Sequence, residues 1–245
     1  MDDRIPTGIP GLDEMLDGGF PSGRVVLILG EPGTGKTILS AQFIADGILR
    51  FNESGVFISM DEAKHHFYKE MSKFGWNFYE FEKQKKFIFL HAAPVRHLPE
   101  EVSIGKLSIG RKDFSILSLI ESMNTYVEVI DAKRIIVDPI SALLFQYPDV
   151  NERRSAVLDL IEAIMKTGTT CLLTFELRSS GPSRTIEIEE YLAHGAIILQ
   201  TIQTGITLAR AIRIEKMREV KIDTQLRPYE ITDEGIVVYH NESII

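Results

Sequence analysis

The segment Gly30-Glu31-Pro32-Gly33-Thr34-Gly35-Lys36-Thr37 has the residue types and spacing of a loop that wraps phosphate. It fits the pattern G-x-x-x-x-G-K-[ST] at every position. Glycine reaches backbone conformations closed to other residues, so successive N–H groups of such a loop can turn inward on a polyanion. A helix beginning near Lys36 adds its unsatisfied N–H groups and the positive end of its dipole. Lys36 is then placed to reach the β- and γ-phosphates of a nucleoside triphosphate, and the Thr37 hydroxyl to ligate Mg²⁺. The competing account is a chance match in a glycine-rich turn. That account has no need of a strand before the motif and a helix after it, and the flanking sequence offers both.

Carboxylates follow other strand-like runs. Asp138 ends Arg134-Ile135-Ile136-Val137, which puts it at the carboxyl edge where open α/β sheets bind ligands. It is assigned to the coordination sphere of Mg²⁺; a turn cap before Pro139 is the alternative. Asp61 and Glu62 follow Val56 to Met60. A carboxylate beside a γ-phosphate can orient an attacking water and accept its proton. Glu62 is the first candidate for that base and Asp61 the second, with a helix-capping role open for Asp61. Glu176 ends the run Cys171 to Phe175 and can sense the γ-phosphate or the water. Arg178 is either a phosphate contact or a solvated loop residue. His65 and His66 resemble a metal pair, but neighbours on a helix point apart, so they are read as surface residues. Trp76 is read as core.

The elements that must carry these groups alternate. Strand-like runs at Arg24–Leu29, Val56–Met60, Phe87–Leu90, Arg134–Val137 and Cys171–Phe175 are separated by helical spacing over Thr37–Phe51, Lys64–Phe74, Phe114–Ile130 and Ser155–Met165. Asn151 can cap the last helix and Gly168 can stop it. This alternation predicts an α/β fold with a mostly parallel sheet and helices on both faces. Beyond residue 195 the pattern changes. Ala196–Leu199, Ala209–Ile214, Tyr229–Thr232 and Ile236–Tyr239 are strand-like with only turns between them. They are expected to add antiparallel strands at the C-terminal edge. No repeat or linker interrupts the 245 residues, so one domain spanning 1–245 is expected.

Bulk composition narrows the class. Hydrophobic residues are 44% and charged residues 25%, the balance of a globular protein. The net charge of -8 and a pI near 5.3 disfavour indiscriminate attraction to DNA or anionic membrane. The lone Cys171 lies in an apolar run and is read as inert core in a reducing compartment. The N-terminus lacks a signal-peptide pattern, and no apolar stretch approaches the roughly 20 residues that span a bilayer. The expectation is a soluble, cytoplasmic protein without a membrane partner.

The chain as a whole resembles the KaiC-like branch of the RecA/RadA ATPase superfamily. The resemblance runs from Thr7-Gly8-Ile9-Pro10-Gly11-Leu12-Asp13 and Gly18-Gly19-Phe20-Pro21-Ser22-Gly23-Arg24 through the phosphate loop. It continues at Asp61-Glu62, Phe74-Gly75-Trp76, Ile135-Ile136-Val137-Asp138 and Arg153-Arg154. It closes with Arg210-Ala211-Ile212, Lys216-Met217-Arg218 and the segment from Pro228 to Ile236. Apart from the phosphate loop no piece is specific alone; their order and spacing carry the assignment.

The resemblance implies a RecA-like P-loop core and adenine as the base. It implies assembly as a homo-oligomeric ring or filament, a hexamer favoured, with ATP between subunits. The family's catalytic carboxylate pair falls on Asp61 and Glu62, where clock members carry two glutamates; the shorter Asp61 leaves Glu62 the better placed base. The Lys-x-Arg element that reaches a neighbour's site falls on Lys216 and Arg218. The Thr-Asp pair that contacts a neighbour's nucleotide falls on Thr232 and Asp233. Without the resemblance, Ile214-Glu215-Lys216-Met217-Arg218 reads as an exposed alternating strand. Clock proteins carry two such domains where this chain has one, and their self-phosphorylated Ser-Thr pair falls on Glu190-Tyr191, so the same phosphorylation cycle is not expected.

The expected function is therefore a Mg²⁺-dependent, ATP-binding, oligomeric ATPase. Two alternatives remain open. One is a DNA-interacting accessory module related to RadA, using Arg178, Arg184 and the loop 179–183, with Arg96, Lys106, Arg111 and Lys112 adding basic surface. The other is a slow nucleotide-dependent switch that binds a protein partner, for which Asp61 is the motive.

Overall fold

In a computed structural model of the chain, the described residues are 4–92, 102–104, 107–109, 116–177, 188–204 and 207–244. In chain order the strands are β1 (Arg4–Ile5), β2 (Phe20–Pro21), β3 (Val25–Gly30), β4 (Ser54–Ser59), β5 (Phe87–His91), β6 (Val102–Ile104), β7 (Leu107–Ile109), β8 (Ala132–Asp138), β9 (Thr170–Glu176), β10 (Gly195–Thr204), β11 (Thr207–Met217), β12 (Arg227–Thr232) and β13 (Gly235–Val238). The helices are α1 (Leu12–Met15), α2 (Lys36–Phe51), α3 (Lys64–Met71), α4 (Phe78–Lys83), α5 (Ile116–Ile130), α6 (Ile140–Leu144), α7 (Val150–Thr167) and α8 (Ile188–Leu192).

A 9-stranded sheet runs in the order β13-β12-β11-β10-β3-β9-β8-β4-β5. Every pairing from β5 to β10 is parallel. The fold is thus α/β with a mostly parallel sheet, as the alternation predicts. β3 is buried along its whole length, the signature of a central strand covered on both faces. One apolar cluster joins α2, α3 and α4 to one face through Phe43, Phe67 and Phe78. A second joins α5, α6 and α7 to the other through Leu119, Leu143 and Leu160.

Several details differ from the sequence reading. The run Ala196–Leu199 belongs to β10, which pairs parallel with β3, so antiparallel pairing begins only at β11. β10 starts at the amino-terminal edge of the parallel strands, where Gly195 pairs with Val26, and runs alongside β3 to Gly30. The helix expected to Phe74 stops at Met71 and continues as a 3₁₀ turn over Ser72–Phe74. A further helix, α4, follows, capped by Asn77, whose side chain accepts the Glu80 N–H. Asp149, not Asn151, caps α7, accepting from the amides of Asn151 and Glu152. Gly168 ends that helix at φ 72 as expected. α6, directly after Pro139, is too short to show periodicity.

Trp76 is buried against Phe74 and Cys171 is fully buried. Burial pushes the Cys171 thiol well above its ordinary value, which keeps it un-ionised and inert.

Two features of this frame bear on the site. Arg134 is fully buried at the start of β8; its Nε donates to Glu53 and its Nη1 to the Phe43 carbonyl of α2. It ties α2, which carries Thr37, to β8, which carries Asp138. On β11 the register slips between the partners of Ala196 and Ile197, which pair with Lys216 and Ile214, leaving Glu215 as the extra residue of a β-bulge.

Candidate functional site

The phosphate loop joins β3 to α2. Gly33 and Gly35 take left-handed conformations at φ 81 and φ 90, which lets consecutive amides face one concavity. Gly30 has no room for a side chain: a Cβ there would lie 2.6 Å from the Leu199 carbonyl oxygen. Lys36 is buried, and its Nζ donates to the carbonyls of Gly30 at 2.9 Å and Glu31 at 3.0 Å. The Thr34 hydroxyl donates to the Glu31 carbonyl at 2.8 Å.

β8, next to β4 and β9 in the sheet, brings Asp138 to the same edge. The Thr37 hydroxyl donates to Asp138 Oδ2 at 2.7 Å, and the Thr174 hydroxyl donates to its other oxygen. Burial raises the Asp138 carboxyl above its ordinary value, against the pull of those two hydroxyls and of Lys36. Burial likewise lowers the Lys36 amine, opposed by Glu176, Asp138 and Glu31.

Asp61 and Glu62 leave the end of β4, where the Glu62 N–H donates to Ser59 Oγ at 2.9 Å. Glu62 is half-buried and its carboxyl is raised, first by desolvation and then by the charges of Glu70 and Asp138. A single cavity of about 550 Å³ is walled by Gly33, Gly35, Lys36, Thr37, Asp61, Glu62, Asp138 and Glu176, so the structure brings these expected residues together. A second hollow, lined by His66, Lys69, Lys73 and His91, adjoins it across Asp61, Glu62 and Glu70. Glu31 faces Lys36 and Pro32 stands on the cavity wall.

Sequence reasoning gave no role to Glu70, Arg210 or Ile231, which also line the cavity, or to Thr174. They arrive from elements whose neighbourhood only the strand order reveals. The His65 and His66 rings, expected to diverge, lie with centroids 3.9 Å apart. Both are exposed, and among the described residues no cluster of His, Cys, Asp and Glu is arranged to hold a metal unaided. Arg96, Lys106, Arg111, Lys112, Arg178, Arg184 and the loop 179–183 lie outside the described residues.

Lys216 and Arg218 sit at the other edge of the sheet. Lys216 pairs with Ala196, and Met217 with Gly195, which itself pairs with Val26 at the start of β3. The cradle begins at Gly30, four residue steps along β3, about 13 Å at the rise of an extended strand. Lys216 Nζ donates to the Tyr191 carbonyl at 3.4 Å, beside Glu190. Burial and the Arg218 charge lower the Lys216 amine. Arg218 is exposed. Thr232 and Asp233 form the turn between β12 and β13, where Thr232 Oγ1 donates to the Gly235 carbonyl at 2.9 Å. Ile231 packs against Gly35, which sets this turn beside the chain's own cradle rather than with Lys216 at the far edge.

The buried Asp138 carboxylate, already raised and facing Asp61, fits a hydrated divalent cation. Mg²⁺ keeps several waters and takes one or two protein oxygens beside substrate phosphates. Thr37 and Asp138 would hold it there. Asp138→Asn gives a separate test. The folded protein binds a proton at Asp138 more readily than the unfolded chain does, so that contribution to stability is lost as pH rises above the ordinary carboxylate range. The asparagine variant should raise the nucleotide-free Tm at alkaline pH and flatten its fall as pH rises above the ordinary carboxylate range. Differential scanning calorimetry checks this; a lower Tm at alkaline pH counts against it.

Known proteins match this arrangement. A family model described as "ATPase: KaiC" matches residues 5–243. The circadian clock oscillator protein KaiC of Parasynechococcus marenigrum is 31% identical over 96% of this chain, which spans 44% of that protein's length. A UPF0273 protein of Thermotoga maritima is 34% identical, covering 98% of this chain and 97% of its own. The crystal structure of a KaiC-like protein from the archaeon Pyrococcus horikoshii superposes with a TM-score of 0.82 at 33% identity, covering 98% of this chain and 100% of that one.

Proposed function

The chain belongs to the KaiC family of ATPases, and from that premise we propose that it binds ATP with Mg²⁺ in the Gly30–Thr37 cradle and hydrolyses it between copies of itself. The observation that carries this reading is the cavity that gathers Lys36, Thr37, Asp138 and Glu62 at one sheet edge. The arrangement supports a division of labour. Amides of the loop and the Lys36 amine, released from the carbonyls of Gly30 and Glu31, take the phosphate oxygens. Thr37 and Asp138 hold Mg²⁺, which when bound neutralises charge on the β- and γ-phosphates. Arg210 adds a second cation on the cavity wall. Glu62, half-buried and raised toward working pH, orients the attacking water and takes its proton. Asp61 lies beside it in sequence and lines the same cavity, as does Glu176.

Among the described residues, Lys36 and Arg210 are the cations that line this cavity. Arg218 and Lys216, at the opposite edge, can meet a triphosphate only in another copy. The reading is therefore a homo-oligomer with nucleotide at the interfaces, six subunits being the favoured number. Thr232 and Asp233 are read as serving the chain's own nucleotide.

Lys36→Ala is the direct test. Loss of a charge-assisted contact worth near 3 kcal/mol weakens Mg·ATP binding by about 100-fold. Isothermal titration reads the affinity, and light scattering with and without Mg·ATP reads the mass. Undiminished affinity in Lys36→Ala sinks the cradle assignment. A monomer at all nucleotide concentrations sinks the interfacial one.

A further inference from the structure

The Tyr229 hydroxyl donates to the Thr34 carbonyl at 2.5 Å, bridging residues 195 apart in sequence. The ring is 2% exposed. Burial raises the phenol well above its ordinary value, so it stays protonated and serves as a donor. Tyr229 stands outside the phosphate cavity. It lines an adjoining hollow of about 700 Å³ with Glu230 and Tyr239, and Gly33 and Arg210 border both spaces. The Thr34 carbonyl is thus drawn toward the far side of the loop from the phosphates.

A trans peptide is planar, and its C=O and the following N–H point in opposite directions. Holding the Thr34 oxygen away from the cavity aims the Gly35 N–H into it. Gly35 needs such a restraint, because it sits at φ 90 and glycine crosses this region freely. We propose that Tyr229 is a positioning residue of the phosphate cradle: its hydroxyl fixes the Thr34–Gly35 peptide so that the Gly35 amide faces bound phosphate. This rests on the reading of Gly30–Thr37 as that cradle.

The anchor is itself held independently of the loop. Gln42 of α2 clasps β13 through both ends of its amide, donating to the Ile236 carbonyl at 3.2 Å and accepting the Ile236 N–H at 2.7 Å. The Val238 N–H donates to the Pro10 carbonyl at 2.8 Å. Ile231 and Ile236 lie against Gly35 from the same hairpin. Removing one hydroxyl therefore leaves the hairpin seated while freeing the peptide.

Tyr229→Phe tests this, because it keeps the ring and deletes only the donor. Affinity for Mg·ATP should fall about 5–10-fold, the effect of one neutral hydrogen bond. KM should rise in parallel, with kcat within about twofold of the parent. In amide NMR of the nucleotide-free protein the Gly35 resonance should move while that of Ile236 stays. Tyr239→Phe is the control: it removes another tyrosine hydroxyl contact at the hairpin, to Glu230, and should leave affinity unchanged.

A Tm loss with unchanged Kd and KM would assign the Tyr229 bond to stability alone and overturn the proposal, as would equal affinity losses in both variants. If Tyr229→Phe fails to fold, the parent decides. In amide NMR of the nucleotide-free parent, a single sharp Gly35 resonance supports a held peptide; one broadened by conformational exchange overturns it. Lys36→Ala separates the two levels. Wild-type binding in that variant fails the cradle reading itself, whereas lost binding there with wild-type binding in Tyr229→Phe fails only the positioning role.

Discussion

Arg218→Ala is expected to slow ATP turnover by about 10³–10⁵-fold at saturating Mg·ATP, the range seen when an arginine that meets the transferring phosphoryl group is removed. The geometry sets this expectation. Arg218 follows β11 at the amino-terminal edge of the parallel strands, and its backbone amide is fixed by the His194 carbonyl at 3.0 Å. The chain's own cradle opens at the other edge. An arginine so placed acts on a triphosphate held by another copy or on none. Affinity for nucleotide should change far less than turnover, because the charge it meets is greatest in the transition state. Turnover of the parent per subunit should rise with protein concentration through the assembly transition. A phosphate-release assay across a concentration series reads both effects. Full turnover in the variant, or a flat concentration profile in the parent, removes the argument for catalysis at an interface.

The second large effect belongs to Glu62. Glu62→Gln keeps the size and most packing of the side chain but cannot take a proton. Turnover should fall by about 10²–10⁴-fold, the usual contribution of a positioned general base. Asp61→Asn should cost less than about tenfold. In the parent, activity should fall on acidification as the raised Glu62 carboxyl is protonated, and this limb should disappear in Glu62→Gln. The two variants also form a complementation pair. Mixed together, an Arg218→Ala chain keeps an intact base, and a Glu62→Gln neighbour can lend it an arginine. Partial recovery of turnover on mixing two nearly inactive proteins is the result expected of a shared site. No recovery, with mixed assembly shown by mass, counts against it.

The parts of this site that were legible in the sequence are those written locally. The phosphate loop is eight consecutive residues, with β3 before it and α2 after it, so spacing alone fixed its place. Asp138, Asp61, Glu62 and Glu176 were legible for a related reason, since each ends a short apolar run and parallel strands share one carboxyl edge. Contacts between distant segments were not legible. Thr174 reaches Asp138 because β9 lies next to β8, and an apolar run does not state its neighbours. Tyr229 is an aromatic in a strand pattern, and nothing around it marks its oxygen as a partner of Thr34. Glu70 is one charge among several on α3. The direction of β10 escaped the reading because four successive strand-like runs look alike whether the first joins the parallel sheet or starts a meander. α4 and α6 were missed because they are shorter than two helical turns, too short for periodicity to show.

The extra residue at Glu215 does more than bend β11. Side chains alternate along a strand, so Ile212, Ile214, Lys216 and Arg218 would share a face if the ladder ran unbroken. Ile212 and Ile214 face the apolar layer under α2, and Met217 joins them there. The bulge shifts the phase of the alternation by one position. It sends a thioether, against the bare backbone of Gly195, where an ammonium group would otherwise have been buried, and it turns both cations outward. A one-residue slip in one strand thereby decides whether this chain turns its charges outward or drives them into its own oil.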